Sequence, residues 1–294
     1  MKISFFTFVK NARMLGYPFL ESIASALPLA DEFVINVGPC EDDTLELLQE
    51  WAGREPKLRI IRSTWCNQMQ QKGYVYGQQK MIAQFNCTGD WAFYLEADEV
   101  LHEDDLPRLR ALMEQYADDP QVEAIAFDYL HFYGNPHTYL DSPAWYKKEV
   151  RIIKTSVRSY APDGLFWVVL DKSNKDGRYP YAVESGATIY HYGWVRSNEE
   201  MNRKGEQVGQ YWSKAPQTVD YREIDPTILR LFSGNHPAVM NEWFKRVPEA
   251  VERQLFAANP AHVLTRREKK HRLLMKLEQL FGFSYTKKHY RKVG

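Results

Sequence analysis

Hydrophobic positions follow two rhythms along this chain, and the change comes near residue 120. In the first part, short strand-like segments rich in apolar residues alternate with stretches whose apolar residues recur every three or four positions. The runs at residues 2–9, 32–37, 58–64 and 91–95 predict buried strands. Helical spacing predicts helices between and after them. One covers 15–27, with Leu15, Phe19, Leu20, Ile23, Ala24 and Leu27 on one face. A second runs through about residue 53 and is opened by Glu41-Asp42-Asp43-Thr44, acidic at its positive end. The third covers 71–86 and carries Lys80, and the fourth covers 104–116 with Pro107 in its first turn. Three strand–helix units and a fourth strand, joined by connections long enough for helices, imply an α/β fold with a largely parallel central sheet and flanking helices.

Beyond residue 120 strands and loops dominate. Residues 123–133 and 149–154 read as an antiparallel pair around the turn-rich, aromatic stretch 134–145. Asp163-Gly164 and Asp176-Gly177 mark turns, and a last strand over 188–194 ends in His191-Tyr192-Gly193-Trp194. Helical patterns return at 198–212, 237–247 and 266–281. The expected organisation is one domain over 1–196, with halves 1–120 and 121–196, followed by a mainly helical extension over 197–294.

Composition narrows the class. The chain has 294 residues, and its 44% hydrophobic content argues against disorder. Cys40, Cys66 and Cys87 are an odd number without close spacing, which predicts unpaired thiols rather than a disulfide framework or zinc site. No run reaches a membrane span, and the first apolar run meets Lys10 and Asn11 too early for a signal peptide, so a cytoplasmic protein is expected. A net charge of zero hides a strong asymmetry: residues 265–294 hold ten Lys or Arg against Glu268 and Glu278. Leu273, Leu274, Leu277, Leu280 and Phe281 recur at helical spacing beside that charge. The combination fits an interfacial helix, peripheral at the inner face of an anionic membrane, or a helix packed on its own domain. No nucleic-acid recognition module accompanies the basic residues, so no nucleic-acid partner is expected.

The chemistry concentrates at residues 89–99, GDWAFYLEADE, where an apolar strand runs into Glu96, Asp98 and Glu99. In open α/β sheets the ligand crevice lies beyond the carboxyl ends of the strands. Carboxylates there can hold a divalent cation against a phosphorylated ligand, or simply cap a turn. No glycine-rich fingerprint follows the first strand, which disfavours dinucleotide-binding and P-loop enzymes.

In this order the motifs resemble the family-2 glycosyltransferases of the GT-A fold, of the bacterial surface-polysaccharide type. Phe8-Val9-Lys10-Asn11 resembles the family's first-strand loop, Glu41-Asp42-Asp43-Thr44-Leu45-Glu46 its acidic helix start, Gly89-Asp90 the lead into its metal strand, and Leu95-Glu96-Ala97-Asp98-Glu99 its "LDADE" metal motif. Glu96 replaces the family's first aspartate, and Val37 or Gly38 stands where a uracil-contacting acid is usual, which leaves the donor base open. The resemblance implies a metal-dependent, inverting transfer of a sugar from a nucleotide sugar to a glycan or lipid-linked acceptor. It implies Mn2+ or Mg2+ on Asp98 and His191, and donor contacts from Phe8, Lys10, Asn11, Asp42, Lys80, Glu96 and Ala97. An inverting enzyme also needs a carboxylate base in the second half; Glu184 and Asp163 are the candidates, with Asp171 behind them. Aromatic residues such as Tyr129, Tyr146, Phe166 and Trp194 suit an acceptor platform or a small core. Two other readings compete: a non-catalytic GT-A-like glycan-binding or scaffolding protein, and a sugar-phosphate nucleotidyltransferase, which would want a glycine-rich basic loop after the first strand.

Overall fold

The computed structural model describes residues 1–171, 176–209, 211, 218–247, 259 and 261–293. Four strands, β1 (Ile3–Val9), β2 (Glu32–Val37), β3 (Leu58–Arg62) and β4 (Trp91–Tyr94), form the parallel core in the order β3-β2-β1-β4. The side chains of β1, β2 and β4 are almost all buried, on both faces, which is why these strands read as largely apolar, while β3 at the edge exposes Arg59 and Arg62. Phe5 stacks on Phe93 at 4.3 Å between ring centres at the middle of this layer. Helices α1 (Phe19–Ala26), α2 (Thr44–Ala52), α3 (Tyr74–Gln84) and α4 (Leu106–Gln115) supply the crossovers and flanks.

The first helix starts four residues later than its pattern suggests. Residues 11–17 form a turn, in which Asn11 and Gly16 take positive φ values of 52° and 64°, and Pro18 precedes the helix. A short strand β5 (Glu99–Leu101) follows the acidic motif, where no strand was expected.

Three strands extend the sheet beyond β4. β8 (Lys148–Lys154) lies antiparallel to β4, and β6 (Ala124–Tyr133) antiparallel to β8, as the expected pair. β6 therefore runs in the direction of β4. Along β6 lies a parallel strand, β11 (Tyr181–Trp194), which is twice the length its apolar part suggested. Its earlier half is interrupted by Gly186, at φ 67°, and by a register shift between Glu184 and Thr188. β5 pairs antiparallel with β11 and sets His191 opposite Glu99. β7 (Thr138–Leu140) continues from β6, and the two-residue strands β9 (Ser159–Tyr160) and β10 (Val168–Val169) form a separate pair.

The region after residue 196 joins this sheet. α5 (Asn198–Gly209) covers the cavity described below; the end of its expected span, at 210 and 212, lies outside the described residues. β12 (Leu229–Leu231) pairs with β7, α6 (Asn241–Phe244) is one turn of the expected 237–247 helix, and α7 (Arg266–Phe281) matches its predicted bounds. α7 begins with a full Thr265–Glu268 capping box and ends at Gly282 in the left-handed conformation. β13 (Arg291–Lys292) then pairs with the start of β11. The extension thus contributes strands as well as helices. Among the described residues, no helix is long and apolar enough to cross a membrane.

Candidate active site

The carboxyl ends of β1, β4, β6 and β11 all point to the same edge of the sheet, because these strands run in one direction. A cavity of about 490 Å3 opens there. Phe8, Lys10, Asn11, Glu96, Ala97, Asp98 and His191, all read as site residues from sequence, line it. The loop after β1 is shaped for this. Asn11 takes a left-handed conformation, and its side-chain oxygen accepts from Glu41 N at 2.8 Å. Glu41, rather than Asp42, reaches the lining.

Asp98 and His191 face each other in this lining. His191 Nε2 stands 3.6 Å from Asp98 Oδ1, and Tyr192 N donates to the Asp98 carbonyl at 2.8 Å. Gly193 allows the approach: a Cβ there would lie 2.5 Å from Asp98 Oδ2 and 2.8 Å from His191 Nε2. The tautomers follow from the partners. His131 Nε2 lies 2.8 Å from the Tyr146 carbonyl, which only accepts, so that nitrogen carries the proton. Burial drives His131 down to about 3, so the ring is neutral and its Nδ1 is bare. His191 Nδ1, 3.1 Å away, must then be the donor. Burial also lowers the proton affinity of His191. A neutral His191 directs the lone pair of Nε2 toward the Asp98 carboxylate. Two electron-rich groups held face to face in this way suit a cation that accepts both nitrogen and oxygen ligands.

Lys204, from α5, brings an ammonium group to the same carboxylate. Its Nζ lies 3.5 Å from Asp98 Oδ2, donates to Gly193 O at 3.0 Å, and sits 4.4 Å from the Tyr17 ring centre. Burial, then the charge of Arg196, push the Lys204 ammonium down to about 7. Burial alone would raise Asp98, but His191 whenever its ring is protonated, and with it Lys204 and Arg196, hold it below the ordinary carboxylate range. Glu96, two residues earlier, goes the other way, raised by burial and then by the Glu99 carboxylate. Two carboxyls on one wall thus differ in proton affinity, an anion beside a proton-holding group. Among the described residues, no cluster of three His, Cys, Asp or Glu forms a complete metal cage. Asp98 and His191 would need oxygens from the ligand to finish one, which Mg2+ and Mn2+ accept.

The third carboxylate of the motif has a structural role. Glu99 is fully buried and takes a bidentate pair from Arg151, Nε at 2.9 Å and Nη2 at 2.7 Å, with Tyr129 OH adding a bond of 2.8 Å. Arg151 Nη2 also reaches Glu96 at 3.2 Å, and its Nη1 donates to Leu165 O at 3.1 Å.

Five residues read as site candidates do not line the cavity. Lys80 is fully buried beneath Trp167 and Tyr94, with Nζ 3.5 Å and 4.2 Å from their ring centres. It donates to Gly164 O at 3.1 Å and Leu165 O at 3.3 Å, so it anchors the loop that walls the cavity instead of facing a ligand. Asp42 is engaged by backbone, accepting from Met14 N at 2.7 Å and Thr44 N at 3.1 Å. Glu184 lies at the opposite end of β11, seven residues and on the order of 20 Å from His191 along an extended strand. There it accepts from Tyr290 OH at 2.7 Å and pairs with Lys292, Lys288 and Lys148. A carboxylate so placed cannot serve this cavity as a base. Asp163 adjoins the lining residues Gly164 and Leu165, and its carboxylate accepts from Leu165 N at 2.8 Å. Asp171 pairs with Arg178 at 3.1 Å.

Of the aromatic residues, Tyr146 and Trp194 line the cavity, while Phe132 and Trp167 are core. His236 bonds Tyr192 OH at 2.8 Å and packs among Phe132, Phe232 and Phe244, outside the lining. Tyr17, Tyr76, Lys204 and Tyr211 are lining residues that no motif announced. Tyr76 packs on Phe8 at 5.7 Å and on Tyr211 at 5.5 Å, a cluster of ring faces beside Lys10.

A sequence model of the family described as Glycosyl transferase family 2 matches residues 17–164. No curated protein sequence matches the chain. Among solved structures, the chain is similar to S. aureus TarS at 15% identity and TM-score 0.41, covering 71% of this chain and 39% of that one. Residues 1–349 of TarS in complex with UDP give 15% identity and TM-score 0.41 over 72% of this chain and 65% of that one. Glucosyl-3-phosphoglycerate synthase from Mycobacterium tuberculosis, in complex with Mn2+, UDP and phosphoglyceric acid, gives 16% identity and TM-score 0.31 over 44% and 43% of the two chains.

Proposed function

Since the chain belongs to glycosyl transferase family 2, we propose that its cavity binds a nucleotide sugar and transfers the sugar, with inversion, to a glycan or lipid-linked acceptor in surface-polysaccharide synthesis. One observation carries this reading: the loop after β1, the Glu96-Ala97-Asp98 motif and His191, far apart in sequence, converge on one cavity at the carboxyl edge of the sheet.

Transfer forms a bond from the acceptor oxygen to the anomeric carbon and breaks the bond from that carbon to the diphosphate, which leaves with the electron pair. A Mn2+ or Mg2+ ion on Asp98 and His191 would neutralise that charge as a Lewis acid. Lys204 adds an ammonium donor beside the same carboxylate. Phe8, Tyr76 and Tyr211 offer ring faces for the base, with Lys10 beside them. Glu96, with its raised proton affinity, is suited to hydrogen-bond a ribose or donor-sugar hydroxyl. Asp163, at the rim of the cavity, is the remaining candidate to take the acceptor proton. Its Asp163→Asn variant should lose turnover while still binding donor.

The test is thermal unfolding with UDP, GDP, ADP, CDP and their sugars, with and without Mn2+, on the native chain and Asp98→Ala. A ligand specific to the folded state stabilises it by about 2.7 kcal/mol at a hundredfold excess over Kd. The expected outcome is a Mn2+-dependent shift with one base, lost in Asp98→Ala. No shift with any nucleotide would favour a non-catalytic glycan-binding protein instead.

A further inference from the structure

We propose that a second, basic cavity beside the first is the acceptor's anion site, and that the acceptor carries a phosphate or carboxylate group held by the guanidinium edge of Arg196. The proposal rests on the transferase reading above and names the acceptor class. The cavity measures about 320 Å3, and its lining includes Arg13, Tyr17, Arg196, Arg203, Lys204 and Arg246.

Arg196 is the decisive group. It is 4% exposed, and its Nη1 donates to Leu15 O. Its Nε and Nη2 are buried and have no acceptor among the described residues. Buried charged donors are rarely left unmet, because a donor stripped of water with no partner in its place bears the full cost of desolvation. These two nitrogens form one edge of the planar guanidinium, and their N–H bonds run parallel, spaced for the two oxygens of a carboxylate or phosphate. The surrounding charges leave the site positive. Arg13 is paired with Asp43, Arg246 with Glu21 and Lys204 with Asp98. Glu200, also in the lining, accepts from Ser197 N at 2.8 Å. Neither Arg196 nor Arg203 has an ion-pair partner among the described residues.

The position suits an acceptor. Leu15, Tyr17 and Lys204 line both cavities, so the two share a wall. Arg196 lies across the Tyr17 ring, its Cζ 5.3 Å from the ring centre, with Lys204 Nζ 4.4 Å from the same centre. A molecule anchored through its anion on Arg196 can extend a hydroxyl past Tyr17 toward the donor sugar.

The experiment titrates the full chain with inorganic phosphate by calorimetry, with and without a saturating nucleoside diphosphate. It compares the native protein with Arg196→Met, Arg196→Lys and the exposed-site variant Arg203→Ala. Phosphate should bind with nucleotide present. Its Kd should rise tenfold or more in Arg196→Met, nearly as much in Arg196→Lys, which keeps charge but loses the fork, and about threefold in Arg203→Ala. An unchanged Kd in Arg203→Ala and in whichever Arg196 variant folds would overturn the proposal, as would phosphate binding that nucleotide abolishes. Glucose 6-phosphate, glucose, and vesicles of phosphatidic acid or phosphatidylcholine then separate the sources. Binding of the sugar phosphate or of the phosphatidic acid vesicles supports a soluble or a lipid-linked acceptor respectively, and binding of neither overturns the acceptor assignment. If no nucleotide binds while phosphate still responds to the arginine variants, the transferase reading fails and the anion site stands.

Discussion

A methyl group at position 193 would press on both Asp98 and His191, so the glycine of His191-Tyr192-Gly193-Trp194 keeps open the space between carboxylate and imidazole. Gly193→Ala is expected to fold and to lose the Mn2+-dependent part of any nucleotide-induced thermal shift. A shift equal to the native one would place the cation elsewhere. Arg151 tests the frame behind the site. Removing it in Arg151→Met leaves Glu99 buried without its ionic partner, a change that costs about 3–5 kcal/mol and should appear in chemical denaturation as a lower midpoint with an unchanged slope. At this scale the sequence was legible where function is local. The tight run Glu96-Ala97-Asp98 and the loop Phe8 to Asn11 announce themselves, and both line the cavity. Lys204, Tyr17 and Arg196 sit in ordinary surroundings and acquire a role only when α5 and the 11–17 turn meet. Lys80 and Glu184 show the reverse. Each is a charged residue at a plausible position whose partners, loop carbonyls in one case and the basic tail in the other, are distant in sequence.

Helix α7 and strand β13 settle the basic end of the chain in two ways. Part of its charge is used internally: Arg272 holds Asp225 at 2.7 Å, and Lys288 and Lys292 hold Glu184. Burial would raise both carboxyls, but the Arg272 and Thr227 bonds hold Asp225 at about 2, and Tyr290, Lys292 and the nearby lysines hold Glu184 at about 2. Folded values below the unfolded ones stabilise the protein above about pH 4. That contribution is lost as pH falls from about 4 toward 2. Acid titration followed by circular dichroism should therefore show a loss of stability in this window, reduced in the double variant Asp225→Asn, Glu184→Gln, which is also less stable at neutral pH. The other face of α7 bears Leu273, Leu280 and Phe281, exposed by 58%, 76% and 64%, and Phe283 follows. With Arg266, Lys269 and Lys270 nearby, this face is expected to bind vesicles containing phosphatidylglycerol and not pure phosphatidylcholine; replacing Leu280 and Phe281 by Ser should lower binding at least tenfold, measured by sedimentation. The helix was readable from its spacing. Its docking face was not, because Met275, Arg272 and Glu278 meet partners from three separate segments.

Across the whole molecule, alternation of apolar runs and helical stretches identified the parallel core, since each unit there is built from neighbouring residues. The sheet beyond β4 was less legible. β8 enters between β4 and β6 although it follows both in sequence, and no local pattern encodes such an insertion. The same is true of β12 and β13, two or three residues long, which exist as strands only because β7 and β11 offer open edges. One of these late strands bears on how the protein is made. Glu149 receives His289 at 2.6 Å, Glu184 receives Tyr290 and Lys292, and Tyr181 pairs with Arg291, so the middle of the chain is completed by residues 289–292. On the ribosome the β1–β4 units emerge with their neighbours and can collapse early. The opposite edge of the sheet gains these contacts only once residues 289–292 have been made, 140 residues after Glu149 in the case of His289, so it depends on distant partners and stays open longer than the β1–β4 core, an exposed edge of the kind chaperones cover.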